Sequence, residues 1–511
     1  MSSSKLLDAF ANGSGSDAAA AARSILASGI QPQEWSKDTV ERLLSAVNPP
    51  NWQERSLGSN VLFQVVSIVK LLTREPSLNE PLFAPQFITS LAQFVHLGRD
   101  AAPFEVDQAA EMEILKVFAN LVLLRRQDTV QVLVDLDILP RIVDRAKSLP
   151  MAYEAAFLWY RILFLATADS THVSIVVERG VDHYEPLLDA LLSSNEPGAG
   201  PFTKASALAE VLKTMFNLAS HTIQASPLFS DATLVQVARV LSDLPPTVPL
   251  PMTAPHSHAI HVLMNGDPSG TAWCTVPFVE ALVARLLAPE LQICFGAGDT
   301  ASLATLVGHE TPANDRLAPL FVLLTRLVDR GGVEVKGAVK RLLAPADLDR
   351  STSNKSDAPP KSVAHALIRM LTSVEFPALR EGAEELLFAL FDGWYSWFVR
   401  FVALPLSSFS FSNTGFGPAA GFLVNRGLLS GDMLKAAAAS AAGTAAASDV
   451  NPITGTKDQS PGPDDWDRMT DEEKEAEAER LFVAFERLNK LGVIKAVDPT
   501  TGQEIGPFAK D

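Results

Sequence analysis

The chain has 511 residues, 47% hydrophobic and 20% charged, with a net charge of −17, which is the composition of an ordered protein with a sizeable core. The acidic balance speaks against generic binding to nucleic acid or to an anionic membrane, since each needs a basic face. Two cysteines, Cys274 and Cys294, are too few for a disulfide-stapled secreted fold and point to a reducing cytosol.

The N-terminal "MSSSKLLDAFANGSGSDAAAAARS" holds no apolar run long enough for a signal peptide, so a cytoplasmic location is expected. From there to about residue 391 apolar residues recur at helical spacing. In "EMEILKVFANLVLL" they fall at Ile114, Leu115, Phe118, Leu121 and Val122, one face of a helix. Prolines cluster in "NPPNW", "LPPTVPLP" and "DAPPK", where helices are expected to break. No train of alternating strands is visible, and the pattern predicts an all-α chain.

Several of these segments resemble one another: "KLLTRE", "KVFANLV", "WYRILFL", "KTMFNLA", "HVLMNG" and "VLLTRLV". Each sets one polar residue into an apolar helix, namely Arg74, Asn120, Arg161, Asn217, Asn265 and Arg326, at intervals of 46, 41, 56, 48 and 61 residues. Most intervals lie near the armadillo and HEAT period. A helical solenoid of this kind lines up equivalent helices along one extended concave surface. An Asn there can donate and accept at once, holding a bound peptide backbone from a groove wall. The same Asn can equally satisfy backbone within its own repeat, and the sequence leaves both readings open.

His256, His258 and His261 form H-x-H-x-x-H, but a helix spreads the first two roughly 200° apart, and no nearby thiolate or carboxylate completes a zinc set. No metal site is expected. No P-loop, HExxH, G-x-S-x-G or paired CxxC is present, so neither a catalytic residue nor a cofactor is assigned. The most apolar stretch, 386–406, is interrupted by Asp392, Arg400 and Pro405 and reads as buried core rather than a transmembrane segment.

"SNTGFGPAAGFLVNRGLL" (412–429) places Gly415, Gly417 and Gly421 as G-x-G-x-x-x-G. A nucleotide loop would need a strand before it and a second strand after its helix. The chain instead runs on into the alanine tract "LKAAAASAAGTAAASD", so the glycines are read as permitting a tight turn and close helix packing, with Asn413 or Thr414 as a cap. Beyond a low-complexity linker (431–468) that contains "NPITG" comes "MTDEEKEAEAERLFVAFERLNKLGVIK" (469–495), and then a tail (496–511). Thr470 and Glu473 form a capping box, and Leu481, Phe482, Phe485 and Leu488 make one apolar stripe.

"TGFGPAAGFLVNRGLL" resembles the signature of the synembryn family, T-G-Y/F-G-N-A-A-G-x-L-x-x-R-G-L-L. Gly415, Gly417, Gly421 and Arg426 match, and Pro418 departs at the usual Asn. "NPITG" is similar to the family's N-P-V-T-G, and 469–495 to its C-terminal helix. Weaker similarity runs back through "HSHAIHVLMN", "EVLKTMFNLA" and "EILKVFANLV". The resemblance implies an armadillo-like superhelix over 1–430. It also implies a partner, the heterotrimeric G-protein α subunit, for which family members act as folding chaperones and as receptor-independent guanine-nucleotide exchange factors without covalent catalysis. On this view a monomeric protein captures the α subunit's C-terminal helix in its groove and so loosens the nucleotide site, while its own C-terminal helix embraces the nucleotide domain. Lys70, Arg74, Asn120, Arg161, Asn217, His258 and Asn265 match the family's groove-lining polar positions, with Lys70 standing where an Arg is expected. The alanine tract replaces the family's acidic phosphorylated stretch, and 392–411 is longer and more aromatic than the usual link, an insertion or a retained intron. The competing reading is an armadillo-type peptide-binding adaptor or transport scaffold without exchange activity.

Overall fold

The computed structural model describes residues 3–390, apart from 14, 29–34, 56, 99–105, 149–150, 223–227, 249, 296–312, 346–359, 361 and 372–375, together with Thr470. Gly415, Gly417, Gly421 and Arg426, the 392–411 segment, the linker, and Leu481, Phe482, Phe485 and Leu488 lie outside the described residues. The fold is all-α. Among the described residues there is no strand, and the one β-type pairing is an isolated antiparallel bridge between Ala199 and Phe202.

The chain opens with α1 (Ser3–Asn12), α2 (Gly15–Ser28), α3 (Lys37–Ala46) and α4 (Pro49–Glu54), followed by α5 (Ser59–Leu72) and α6 (Pro85–Phe94). A long helix and two shorter ones then form a unit, α7 (Gln108–Leu124), α8 (Arg126–Asp135) and α9 (Ile138–Ala146). The same order returns in α10 (Tyr153–Ala166), α11 (Val173–Glu178) and α12 (Tyr184–Ser193). Next come α13 (Lys204–His221), α14 (Asp231–Asp243), α15 (His256–Leu263) and α16 (Val276–Leu282), which runs through a π turn at Val283–Leu287 into α17 (Ala288–Phe295). The last described helices are α18 (Ala313–Arg330), α19 (Gly332–Leu343), α20 (Val363–Leu371) and α21 (Pro377–Leu390).

Two layers emerge from how these helices meet. In the first, α2, α5, α7, α10, α13, α15, α18 and α21 each pack on the next. Behind them α9 meets α10 and α11, α12 meets α13 and α14, and α14 meets α15 and α16. This is the stacking of a helical repeat array, in which each unit buries its apolar face only against its neighbours.

Local chemistry sets the helix boundaries. Asp107 caps α7 by accepting a hydrogen bond from the Ala110 N–H at 2.8 Å, and Thr203 and Ser206 make a reciprocal capping box at the start of α13, each satisfying donors the helix cannot. The prolines of "NPPNW" do not simply end a helix. They open α4, where a missing N–H costs nothing and φ is already helical. Trp52, in the same short helix, is fully buried and meets Phe94 edge-on at 5.6 Å. The "LPPTVPLP" run does separate helices, lying between α14 and α15. Ile114, Leu115, Phe118, Leu121 and Val122 are all 0% exposed. Enclosed by α5, α8 and α10, each contributes roughly 1.5–3 kcal/mol by burial.

Candidate partner-binding face

Polar residues set into the first-layer helices stitch neighbouring helices together. The pattern E-x-x-K-x-x-x-N occurs in α7 as Glu113, Lys116 and Asn120, and again 97 residues on in α13 as Glu210, Lys213 and Asn217. Residues three and four apart share one helix face, so each pattern turns a carboxylate, an ammonium and a carboxamide toward the same neighbours.

In the α7 copy the nearly buried Glu113 takes Lys116 on Oε1 at 2.7 Å and Lys70 of α5 on Oε2. Lys116 reaches on to Glu154 of α10 at 2.8 Å. Burial works to raise the Glu113 carboxyl, but hydrogen bonds from Lys116 and Lys70 outweigh it and hold it below the usual range. Burial likewise opposes the Lys116 charge, and Glu113 and Glu154 overcome it. The Asn120 carboxamide donates to Thr73 Oγ1 at 3.0 Å, and Thr73 in turn donates to the Lys70 carbonyl at 2.7 Å.

The α13 copy repeats this motif on the next junction. Glu210 Oε1 accepts from Arg161 of α10 at 3.0 Å and from Lys213 at 2.5 Å. Asn217, 8% exposed, donates to the Phe164 carbonyl at 3.0 Å and to Thr167 Oγ1 at 3.3 Å. Both Asn side chains therefore engage the C-terminal end of the preceding first-layer helix, each through the capping threonine hydroxyl, and Asn217 also through the Phe164 carbonyl of the last turn, where carbonyls lack helical partners.

The remaining polar positions sit differently. Arg74 is exposed just past the end of α5, and among the described residues its side chain makes no hydrogen bond or ion pair. Asn265 is exposed and donates to the His261 carbonyl at 2.9 Å, within its own helical turn. Arg326 of α18 donates to the Gly266 carbonyl at 2.8 Å, closing the end of α15.

The histidines do not converge. His256 is fully buried, with Nε2 3.1 Å from the Leu244 carbonyl, whereas His258 and His261 lie with ring centroids 6.3 Å apart. Burial pushes His258 down to about 4, with Lys213 and His261 adding to the effect. Among the described residues no group of three or more His, Cys, Asp or Glu is placed to hold a metal ion. Cys274 and Cys294 are buried free thiols, and burial pushes them up to about 11 and about 12, which suppresses thiolate chemistry.

Beside the polar positions stand apolar side chains that the fold leaves in water. Leu123 (54% exposed) and Leu124 (47%) follow Asn120 by three and four residues, Phe216 (36%) follows Lys213 by three, and Val322 (42%) precedes Arg326 by four. Phe216 also lies against His261, with ring centroids 5.4 Å apart. Three of the first-layer helices, α7, α13 and α18, thus pair a polar and an exposed apolar residue at i, i+3 or i+4. Sequence reasoning missed Glu113, Glu210 and these four apolar residues. The E-x-x-K-x-x-x-N repeat could have revealed the two glutamates, while the apolar four look like ordinary core in a periodic helix.

The described residues define an all-α repeat scaffold whose first layer carries a mixed polar and apolar face and, among the described residues, no helix long and apolar enough to cross a membrane. The chain belongs to the synembryn family: the family model described as guanine nucleotide exchange factor synembryn matches residues 65–504. It is similar to the Chaperone Ric-8A of Macaca fascicularis, 26% identical with 91% of this chain and 86% of the relative covered. The Chaperone Ric-8A of Xenopus laevis is 24% identical, covering 94% and 89%, and that of Pongo abelii is 25% identical, covering 91% and 86%. One solved engineered protein covers 85% of this chain with a TM-score of 0.42 and 16% identity, a likeness too loose to bear on function.

Proposed function

We propose that this protein is a guanine-nucleotide exchange factor and folding chaperone for heterotrimeric G-protein α subunits. Membership of the synembryn family over 65–504 carries this reading, and relatives named as chaperones support its second half. The α subunit's C-terminal helix docks on the first-layer face of α7, α13, α15 and α18. Its apolar side chains cover Leu123, Leu124, Phe216 and Val322, while Lys70, Arg74, Asn120, Arg161, Asn217, His258 and Asn265 supply polar contacts or hold the helices that do. Withdrawing that helix from its own domain loosens the nucleotide site, GDP leaves, and GTP then favours the compact α subunit and releases it. Such exchange works through differential affinity for two states of the partner and needs no catalytic acid or base. The stripe of Leu481, Phe482, Phe485 and Leu488 contributes a second contact on the nucleotide domain, and the protein acts as a monomer in the cytoplasm.

The deciding experiment measures GDP release from purified α subunits and the yield of folded α subunit in cell-free translation, each with and without this protein. Acceleration of the first or a gain in the second is expected; failure of both with α subunits of every class would remove the proposal. Arg74→Glu should weaken binding of a peptide copying the α subunit's C-terminal helix more than Asn265→Ala, for which about 1 kcal/mol is expected. Truncation after Asp458 should leave peptide binding intact and slow GDP release from the full-length α subunit several-fold. Free GDP and GTP should not bind this protein alone.

A further inference from the structure

The two E-x-x-K-x-x-x-N copies differ at one corner. In the first, two cations, Lys70 and Lys116, meet two carboxylates, Glu113 and Glu154. In the second, two cations, Arg161 and Lys213, share a single carboxylate, Glu210. Both lysines sit over an aromatic ring, Lys116 over Phe202, just ahead of α13, at 5.3 Å and Lys213 over Phe164 of α10 at 4.5 Å. The second carboxylate oxygens differ as well: Glu113 Oε2 accepts from Lys70 and Ser67, whereas the buried Glu210 Oε2 has no hydrogen-bond partner among the described residues. Where Lys116 finds Glu154 in the first turn of the following helix, the first turn of the helix after Lys213 presents His258.

A neutral imidazole cannot balance an ammonium. The charged and titratable groups at this junction are Arg161 from α10, Glu210 and Lys213 from α13, and His258 and His261 from α15. They leave one positive charge uncompensated in a half-buried setting, where a counter-charge is worth more than in water. The cations keep spare donors too: among the described residues Lys213 bonds only Glu210, and Arg161 uses only Nη1, on the same oxygen. The site adjoins Phe216, one of the exposed apolar residues, on the same helix as Lys213.

We propose that Arg161 and Lys213, at the junction of α10, α13 and α15, receive a carboxylate from a docked protein partner, which completes the quartet that Glu154 completes in the first copy. The identity of that partner as an α subunit rests on the reading above, while the site itself does not. Lys213 accords with this. Burial weakens its charged form more than Glu210 restores it, whereas Lys116, with two carboxylates, is strengthened.

His258→Glu supplies the missing corner from within the chain, and acetate in place of chloride supplies it from solution. The wild-type protein should melt higher in acetate by about 1–2 °C, and His258→Glu should melt higher than wild type in chloride by a similar amount and lose the response to acetate. Lys213→Gln should also lose the response, whatever its own stability. With peptides copying an α subunit's C-terminal helix, each carboxylate changed in turn to its amide, one change should weaken binding to wild type about ten-fold and leave binding to His258→Glu unchanged. No acetate effect on wild type, a lower melting temperature for His258→Glu, or equal binding of every amide peptide would overturn the proposal. Acetate stabilisation with no peptide bound at all would keep the carboxylate site and count against the α-subunit reading.

Discussion

The α5–α7–α10 and α10–α13–α15 junctions are built on one pattern and end in different electrostatic states. Lys70, Glu113, Lys116 and Glu154 form a closed, neutral quartet; Arg161, Glu210 and Lys213 form an open triad with His258 at the fourth corner. At these two junctions the ion pairs tie one helical unit to the next. Leaving one of them unbalanced costs stability and creates a place that a partner's charge can fill. The comparison separates scaffold from reception, and each half can be tested.

The largest effect is expected where the closed quartet is broken. Glu113→Ala leaves Lys70 and Lys116 partly buried without their shared acceptor, with Glu154 the one carboxylate remaining to Lys116. A loss of about 3 kcal/mol is expected by denaturant unfolding, toward the low end for a broken buried pair because both lysines retain some water contact. A loss under about 0.5 kcal/mol would show that the quartet is surface decoration. The carboxamides come next. Asn217→Ala removes two bonds at a nearly buried site and should cost about 2 kcal/mol, whereas Asn120→Ala, half-buried with one bond, should cost about 1 kcal/mol. Equal values would mean that the difference in burial has no weight.

How much of this was legible beforehand depends on what periodicity encodes. The core face of α7 and the repeat ladder through Asn120 and Asn217 could be read because a helix buries residues at fixed spacing and the spacing recurs. The partners of those residues could not. Thr73, Thr167, Glu113 and Glu210 acquire their roles only when one helix is laid beside another, and a single helix does not state its rotation against its neighbour. Leu123, Leu124, Phe216 and Val322 show the same limit from the other side. Their side chains would suit a core, and only the packing of the second layer decides that they stay in water. The family signature was the most specific feature of the sequence, and it lies outside the described residues, whereas the family match over 65–504 also takes in most of the described helices.

A smaller effect is expected from pH, and it should distinguish the junctions by where it begins. His258 is pushed from an ordinary 6.5 down to about 4 in the folded protein, chiefly by burial, so the unfolded chain binds its proton first. Stability from this group is present above about 6.5 and is lost as pH falls toward 4. Glu113 is held below its ordinary 4.5, so the closed quartet keeps its full contribution down to about 4.5 and loses it as pH falls further. His258→Gln should flatten the stability profile between pH 6.5 and 4 relative to wild type. The remaining slope belongs to His183, His256 and His261, also depressed by burial. An unchanged profile would mean that His258 stays exposed to water when folded.

The smallest effect on stability, and the sharpest separation of scaffold from reception, is expected at the exposed apolar residues. Leu123→Ser and Phe216→Ser remove side chains that are 54% and 36% exposed, so each should change unfolding free energy by no more than about 0.5 kcal/mol. Phe216 has slightly more to lose, because it also packs against His261. If the first-layer face receives an amphipathic helix, those same side chains become buried in the complex, and each substitution should weaken peptide binding by roughly 1.5 kcal/mol or more, about ten-fold in Kd. Binding and folding would then respond in opposite order to Asn217→Ala, which loosens the scaffold while leaving the apolar contacts in place. Leu123→Ser and Phe216→Ser proteins that melt normally and bind the α-subunit peptide like wild type would move the docking surface off this face altogether. Should Phe216→Ser weaken binding and Leu123→Ser not, the docked helix would be confined to the open junction, with the closed quartet left as pure scaffold.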